Sequence, residues 1–483
     1  MIRSGGLWAA GLCVLGLSAC ARGPDYAALV NAGPYGEERA FVESLLPEGL
    51  ELGDPPALLI EFHSSWEYEN AFGDILISRT PLVPQADALD GRTSAALEDC
   101  LAGRETLVPP EALAPPFVAL RVDGRALGGE GYPLYRAVGI SVRGAGDAPL
   151  KSRLEARRAL LEAAIRDAPK PLVRPIPKPV WIAAGGDLML DRGAEEILFE
   201  EGPAGIFGGT AAMLEAADIA LVNLEGVVSS RGAKTPKSFN FRFSPRIAPA
   251  LKAAGISAAL HANNHVYDYG ETAFLDSLSA LADAGLGIAG AGLDDDAASA
   301  PCVMEREGGT FRVFGLASFP RERNGWDGVS AAAGPGRPGM LHAGRGGGER
   351  LKARFDRGDS RIVDIVLFHG GVEWSRRPDA ATRELYTELI RSGADLVIGS
   401  HPHIVQGFEW VMGKPVFWSL GNYVFGGMEN TEGGEEGLFI RLGFLDSRLI
   451  YLEPFALTLT HTRTDIASPE KLDVFYRRSR ELR

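Results

Sequence analysis

The sequence has few cysteines, no long basic run and no apolar run long enough to cross a membrane. Only four cysteines occur in 483 residues, and none of them forms a Cys-x-x-Cys pair. Zinc sites built from paired cysteines are therefore excluded. Lys and Arg occur only in short clusters, and the formal net charge is −14. Because phosphate contacts require a basic surface, we do not expect nucleic acid as a partner.

The first 20 residues are typical of a lipoprotein signal peptide. An apolar segment from Leu7 to Leu17 follows Arg3 and is shorter than the roughly 20 residues that a membrane-spanning helix needs. It ends in Leu-Ser-Ala-Cys, which resembles a bacterial lipobox, and we predict that Cys20 carries the lipid. An ordinary signal peptide cleaved after a small residue is the alternative. We expect an extracytoplasmic protein anchored to a membrane surface.

The rest of the chain divides at a proline-rich segment, which has four prolines in the nine residues 171–179. Such a segment is an extended spacer and marks a domain boundary. Cys100 and Cys302 fall on opposite sides of it, and the sequence leaves their pairing open. We predict a tether and helix at 21–50, a small α+β domain of unknown role at 51–150, a helix and linker at 151–179, a main domain at 180–460 and a tail at 461–483.

The main domain is predicted to be α/β, because buried-type strands alternate with segments of helical length. Strands are predicted at 180–187, 219–225, 362–371 and 395–403, and helices at 271–284 and 380–392. This alternation is typical of βαβ units. The last strands, between 415 and 459, have no helices between them. They predict a second, partly antiparallel sheet.

Five apolar runs end in residues able to bind metal. These motifs are GGDLML at 185–190, VNLEG at 222–226, HANNH at 261–265, FHGGVEW at 368–374 and GSHPH at 399–403, and they contain five of the eight histidines. The carboxyl ends of parallel strands share one edge of a sheet, so these motifs should meet in one crevice. His, Asp, Glu and Asn are ligands for Zn, Mn or Fe. The sequence therefore predicts a metal site.

The order of the motifs resembles the CapA or PgsA family of poly-γ-glutamate capsule biosynthesis proteins, which is related to calcineurin-like metallophosphoesterases. The resemblance covers about 180–460 and includes GD, NLE, NNHxxDxG, HGGxEW, GSHPHxxQ and SLGNYVF. It implies a four-layer αββα sandwich and one or two divalent metal ions, with Mn, Zn and Fe as the candidates.

The resemblance also implies roles for single residues. It places the metal ligands at Asp187, Glu225, Asn264, His369, His401 and His403. His265 corresponds to the acid/base histidine, and Asp268 or Asp191 is expected to orient it. Arg192 either clamps an anionic substrate or forms a surface salt bridge. One departure is clear: the phosphoesterase pattern Asp-x-His has Met189 at its third position.

Two further segments are expected beside the crevice. Glu373 and Trp374 extend the His369 motif and are expected to line it. The Gly- and Arg-rich segment 321–350 is expected to be a loop, whose arginines either meet an anionic substrate or are solvated.

Together, the lipobox and the resemblance predict a lipid-anchored protein that acts on poly-γ-glutamate or a related anionic envelope polymer. The reaction would be metal-assisted hydrolysis or transfer at an amide or phosphoester bond, and other capsule-synthesis proteins are candidate partners. A non-catalytic accessory for polymer binding or export is one alternative. A general metallophosphatase is another, but the absence of the histidine at Met189 weighs against it.

Overall fold

The computed structural model describes residues 25–30, 36–46, 50–52, 58–65, 75–81, 83–90, 92–96, 99–100, 104–122, 124–127, 129, 135–144, 152–168, 177–322, 325–355, 359 and 361–482. The predicted signal peptide, Cys20 and most of the proline-rich linker lie outside the described residues. Within them, no helix is both long and apolar enough to span a bilayer. The chain forms two compact units: an N-terminal unit of 1–80 and 135–174, and a C-terminal unit of 81–134 and 175–483.

The first 174 residues contribute to both units. In chain order their elements are β1 (Asp25–Val30), α1 (Gly36–Ser44), β2 (Leu50–Leu52), β3 (Leu58–Ser65), β4 (Ile75–Pro81), β5 (Val83–Asp87), β6 (Ser94–Ala95), β7 (Leu107–Val108), β8 (Phe117–Ala119), β9 (Arg121–Val122), β10 (Tyr135–Gly144) and α2 (Ser152–Asp167). The N-terminal unit contains a five-stranded sheet of order β2-β1-β3-β10-β4. Strands β5 to β9 form short pairs within the C-terminal unit. The division between the units therefore falls inside the segment 51–150.

The remaining elements all belong to the C-terminal unit. They are β11 (Val180–Leu188), α3 (Ala194–Phe207), α4 (Ala211–Glu215), β12 (Ile219–Leu224), β13 (Val227–Val228), β14 (Arg242–Phe243), α5 (Ile247–Ala253), β15 (Ala258–Leu260), α6 (Gly270–Asp283), β16 (Gly287–Ala289), β17 (Ala291–Gly292), α7 (Asp295–Ser299), β18 (Cys302–Arg306), β19 (Gly309–Ser318), β20 (Gly339–Met340), α8 (Gly347–Lys352), β21 (Ile362–Gly370), α9 (Ala380–Ser392), β22 (Leu396–Ser400), β23 (Val405–Val411), β24 (Lys414–Leu420), β25 (Asn422–Val424), β26 (Glu436–Leu445), β27 (Arg448–Thr460), β28 (Arg463–Ile466) and α10 (Leu472–Arg480).

Two large sheets form the body of the C-terminal unit. The first has the order β16-β15-β12-β11-β26-β27-β28, and β25 also pairs with β11. The second has the order β18-β19-β21-β22-β24-β23. Strand β26 pairs antiparallel with β11, and β27 and β28 continue the first sheet, each antiparallel to its neighbour. The expectation that the last strands form a second, partly antiparallel sheet holds for β24, which pairs antiparallel with β23 in the second sheet. It is wrong for β25, β26 and β27, which belong to the first sheet with β11.

Alternating residues of the strands face two different cores. Along β12, Ile219 and Leu221 lie in a core shared by both large sheets, whereas Val222 packs in a core with residues of α3 and α5. In the second sheet, Phe368 of β21 packs with Tyr386 of α9 on the face away from the shared core. Strands buried on both faces read as continuous apolar runs, which explains the sequence pattern. The predicted mixed α/β class is confirmed.

The C-terminal segment is packed against this body. Strand β28 pairs with β27, and α10 places Phe475 and Tyr476 in the shared core. Residues 461–483, which the sequence suggests to be a tail, therefore include two elements with buried contacts. The alternation of strand and helix patterns along the sequence predicts no element in this segment. Strand β28 has only four residues, and α10 is mostly polar.

Candidate metal centre

The candidate metal centre lies where strands of both large sheets end. Asp187 is near the end of β11, Glu225 follows β12, and His403 follows β22. One ligand atom from each of these three buried residues lies within 4.8 Å of the others. We call these three residues the metal cluster. The parallel strand ends therefore converge as the topology predicts.

The close approach of β11 to the loop after β24 fixes the position of Asp187. The backbone N–H of Asp187 donates a hydrogen bond to the carbonyl oxygen of Gly421 at 3.0 Å. A Cβ atom at Gly186 would lie 1.9 Å from the same oxygen, so only glycine fits there. The backbone N–H of His401 lies 3.2 Å from Asp187 Oδ2. Asp187 is therefore held between both sheets.

The donor atoms of the metal cluster fit a divalent cation. His403 Nδ1 lies 2.9 Å from Asn422 Oδ1 and 3.3 Å from Asp187 Oδ2, and His403 Nε2 lies 3.9 Å from Glu225 Oε1. Glu225 Oε1 and His401 Nδ1 are buried and have no hydrogen-bond partner among the described residues. A buried carboxylate oxygen without a partner is costly unless a cation lies beside it. Carboxylate and imidazole donors together suit Zn, Mn or Fe.

The electrostatics of the cluster favour positive charge. Burial raises the pKa of the Glu225 carboxyl well above its usual value, and the neighbouring Asp187 carboxylate raises it further. Burial acts to lower the pKa of His403, but the Glu225 and Asp187 carboxylates outweigh it and raise this pKa to about 10. Two buried carboxylates thus share a site that attracts a cation.

The other three predicted ligands lie together beside the cluster. His369 Nε2 is 2.9 Å from Asn264 Oδ1, and the rings of His369 and His401 are 4.6 Å apart between centroids. Burial, reinforced by neighbouring histidines, lowers the pKa of His369 well below its usual value and that of His401 to about 3. Both imidazoles are therefore neutral at pH 7, the form in which histidine binds a metal. His403, with its raised pKa, would have to release its proton when a cation enters the cluster.

Asn223 joins the two groups of predicted ligands. Its Nδ2 donates to Asp187 Oδ1 at 2.8 Å and lies 3.1 Å from His369 Nδ1. Its Oδ1 accepts a hydrogen bond from Asn263 Nδ2 at 3.0 Å. The amide of Asn223 is buried, so these contacts fix its orientation and that of the ligands around it.

The predicted acid/base histidine is held by Asp268. His265 Nδ1 lies 2.6 Å from Asp268 Oδ2, which also accepts a hydrogen bond from the backbone N–H of Phe241 at 2.7 Å. Lys237, whose side chain is fully buried, donates to Asp268 Oδ1 at 2.9 Å and to the carbonyl oxygen of Asn264. Burial lowers the pKa of His265 although Asp268 opposes the shift. Asp268, rather than Asp191, contacts this histidine.

Two predicted features lie away from the metal cluster. Met189 is fully buried in the core that contains α3, so an apolar side chain occupies the position where the phosphoesterase pattern has a histidine. Arg192 is exposed and donates to the carbonyl oxygen of Gly426. Its guanidinium lies 6.0 Å from the ring of Phe239, and no contact within the described part of the chain joins it to the cluster. Its role as a substrate clamp stays a prediction.

A pocket of about 290 Å³ opens beside the metal centre. We call it the site pocket, and its lining includes Asn264, His265 and His401. Glu373 and Trp374 line it, as the sequence predicts. The rest of its wall comes from Ser238, Phe239, Phe319, Pro320, Arg321, Glu322 and Val372. Among the described residues of the predicted loop 321–350, Arg321 and Glu322 line the site pocket, whereas residues further along form β20 and α8.

Sequence reasoning did not assign roles to several residues of the centre. Three asparagines of the centre lie within the sequence motifs, namely Asn223, Asn263 and Asn422. Their positions near the ends of strands could have indicated that they contact the metal ligands. Lys237 had no such signal, because it lies between β13 and β14 in a stretch without a periodic apolar pattern. Only the fold brings this lysine to Asp268.

Comparison with known proteins relates this chain to capsule synthesis. Residues 181–427 match the family model "Bacterial capsule synthesis protein PGA_cap". The "PGA biosynthesis protein CapA" of Bacillus subtilis (strain 168) is 28% identical over 245 residues, which cover 50% of this chain and 62% of that protein. The "Capsule biosynthesis protein CapA" of Bacillus anthracis is 27% identical over 248 residues, covering 50% and 58%. The matches thus span less than two thirds of these two relatives.

A mycobacterial relative and a solved structure also match. The "Probable polyglutamine synthesis accessory protein MT0602" of Mycobacterium tuberculosis (strain CDC 1551 / Oshkosh) is 29% identical over 288 residues, covering 51% of this chain and 75% of that protein. The crystal structure of a hypothetical protein from Thermus thermophilus matches with a TM-score of 0.35 and 12% identity, covering 57% of this chain and 98% of that chain.

Proposed function

Because this chain belongs to the bacterial capsule synthesis protein family PGA_cap, we propose that it acts on poly-γ-glutamate or a related anionic envelope polymer. It would take part in synthesis, processing or export of the polymer through metal-assisted hydrolysis or transfer. One observation carries the proposal: the buried metal cluster of Asp187, Glu225 and His403 has an unpartnered carboxylate oxygen and lies beside the site pocket. The names of the family and of its Bacillus subtilis relative support this class of polymer.

Asp187, Glu225 and His403 would hold one divalent ion, and Asn264, His369 and His401 are available for a second. A divalent ion there would polarise a substrate oxygen and lower the pKa of a water molecule toward neutrality. Imidazole and carboxylate donors suit Mn, Zn and Fe.

His265 would move a proton at the leaving atom of the substrate. When its Nδ1–H donates to Asp268, its Nε2 is the free position, and His265 lines the site pocket. Lys237 and the backbone N–H of Phe241 fix Asp268, so the imidazole keeps one orientation. Such a fixed orientation keeps the proton-transfer distance short for each substrate molecule.

Three finer features complete the proposal. The arrangement of the C-terminal unit would be a four-layer αββα sandwich, which the helix-lined cores on the outer faces of both sheets support. Cys20 would carry a lipid that anchors the protein outside the cytoplasm, which the apolar segment before it supports. Other capsule-synthesis proteins would be its partners.

A metal measurement tests the site. We expect the purified chain to contain one to two equivalents of Mn, Zn or Fe by elemental mass spectrometry, and the His401→Ala/His403→Ala variant to lose them, because two donors are removed from the centre. His461→Ala is the matched control, since this histidine has an 80% exposed side chain and lies outside the centre. A double variant that keeps its full metal content would contradict the assignment.

A non-catalytic accessory that binds the polymer is the second candidate. The buried Met189 favours this candidate. It stands where phosphoesterases have a histidine, so the centre has one nitrogen ligand fewer for a metal ion. Under this candidate, His265→Asn would retain both polymer binding and polymer output in cells. Under the catalytic proposal it would retain binding but lose output.

A further inference from the structure

Three large apolar side chains are exposed around the site pocket. Phe239 is 62%, Val372 49% and Trp374 39% exposed, and all three line the pocket. Only nine large apolar residues are exposed among those that the structure describes, so a third of them meet at one place. Apolar side chains gathered around a polar crevice indicate a surface that a ligand covers.

The backbone of Trp374 gives a second, independent indication. Its φ is 65°, a left-handed conformation that a bulky residue rarely adopts. The backbone N–H of Trp374 donates to the carbonyl oxygen of Pro402 at 2.9 Å, and its ring lies 5.2 Å from the ring of His403 between centroids. A strained residue that presents its ring to solvent beside a metal ligand points to a functional position.

The site pocket also contains one guanidinium that a ligand can reach. Arg321 lines the pocket with a 67% exposed side chain, and its Nη2 lies 3.0 Å from Asp327 Oδ2. Exposed ion pairs of this kind contribute little free energy, so a carboxylate of the ligand can replace Asp327. Glu322 already contacts Lys237 at 3.1 Å, and Glu373 adds a negative charge to the wall. The pocket is therefore not broadly basic, and a ligand carboxylate would bind at Arg321.

We propose that the site pocket is a subsite for one acidic, amide-linked unit of a polymer. The planar amide and the methylene groups of the unit lie against Trp374 and Phe239, and its carboxylate binds Arg321. A neutral sugar would use the rings but would leave Arg321 with Asp327, which is why an acidic unit fits better. The inference rests on the proposed function, from which it takes the class of polymer, and adds how one unit is recognised.

Calorimetric titration with a γ-linked glutamate oligomer tests the subsite in the full, metal-loaded chain. We expect Trp374→Ala and Arg321→Gln each to weaken binding roughly tenfold, because each removes one of the three proposed side-chain contacts. Trp374→Phe should retain most of the affinity. Asp327→Asn should tighten binding, since it removes the competing carboxylate but keeps an oxygen that can cap the backbone N–H of Val329.

Control variants and a second ligand make the result decisive. Phe117→Ala is the matched control, because Phe117 is 41% exposed but does not line the site pocket. This variant should bind the oligomer with the affinity of the wild type. Unchanged metal content and circular dichroism in each variant exclude unfolding. The proposal is overturned if the wild type does not bind the oligomer, if Trp374→Ala and Arg321→Gln bind it normally, or if a neutral N-acetylglucosamine oligomer binds more tightly.

The same titrations separate this inference from the proposed function. Oligomer binding that depends on Trp374 and Arg321, without hydrolysis or transfer, would support the subsite and reject the catalytic reaction. Turnover of the oligomer that is insensitive to both substitutions would support the reaction and reject the subsite.

Discussion

The imidazole of His261 is buried and takes no part in the metal cluster. Its ring stacks on Phe274 with 6.0 Å between centroids and 9° between planes. Both ring nitrogens are buried, and the backbone of Leu224 provides only a weak interaction that opposes the effect of burial. Burial lowers the pKa of His261 to about 4. The ring therefore behaves at pH 7 as a neutral aromatic side chain of the core.

This pKa predicts a loss of stability in acid. The value in the unfolded chain is near 6.5, so the contribution of neutral His261 is complete above pH 6.5 and is lost as the pH falls toward 4. We expect the free energy of unfolding of the wild type to drop about 3 kcal/mol more than that of His261→Phe between pH 7 and pH 4. Urea unfolding at several pH values measures it. Parallel pH profiles for the two proteins would contradict the prediction.

At the scale of elements, the end of β11 depends on two glycines. A Cβ atom at Gly185 would lie 2.5 Å from the ring of Tyr423, and one at Gly186 would lie 1.9 Å from the carbonyl oxygen of Gly421. These contacts let β11 pair with β12 on one side and approach β25 on the other. The strand can therefore carry Asp187 into the centre between the two sheets.

Gly186→Ala should disrupt this strand end. The added methyl group would clash with backbone, which cannot move aside as a flexible side chain can, so Asp187 must shift. We expect a loss of about 2 to 4 kcal/mol in the free energy of unfolding and a lower metal content. Gly348→Ala in α8 is the matched control, because its nearest contact would be an ordinary 3.7 Å, and it should not lower stability. Normal stability and metal content in Gly186→Ala would refute this account.

At the scale of the whole molecule, the net charge of −14 opposes an anionic polymer. Repulsion between like charges acts at long range and is weakened by salt, whose Debye length is about 10 Å at 0.1 M. Recognition must then come from short-range contacts, such as the metal centre and Arg321. A basic protein, by contrast, attracts polyanions through its long-range electrostatic field.

The association rate with a γ-linked glutamate polymer should therefore rise with salt. We expect a roughly twofold to fivefold increase between about 20 and 150 mM sodium chloride, because screening removes repulsion from the encounter. Stopped-flow fluorescence with a labelled polymer measures this rate. A rate that falls with salt would show instead that a basic surface guides the polymer.

Local patterns in the sequence predicted single elements better than their pairing. The helix predicted at 380–392 is α9 (Ala380–Ser392), whose N-terminus is capped by Asp379, and the strand at 362–371 is β21. These elements follow from amphipathic spacing and from an uninterrupted apolar run. The positions of β26 to β28 beside β11, and the contact of Lys237 with Asp268, depend on partners far away in the sequence. No local pattern specifies such partners.

The metal cluster joins positions that are far apart along the chain. Asp187 lies near the end of one strand of the first sheet, Glu225 follows another, and His403 follows a strand of the second sheet. Bringing Glu225 and His403 together closes a long loop of the chain, which costs conformational entropy. The packing of the two sheets must offset this cost before the side chains can meet. The three side chains can therefore meet only late in folding, after the two sheets have associated. A partly folded chain would have weak affinity for a metal ion, so metal loading would mark the completed fold.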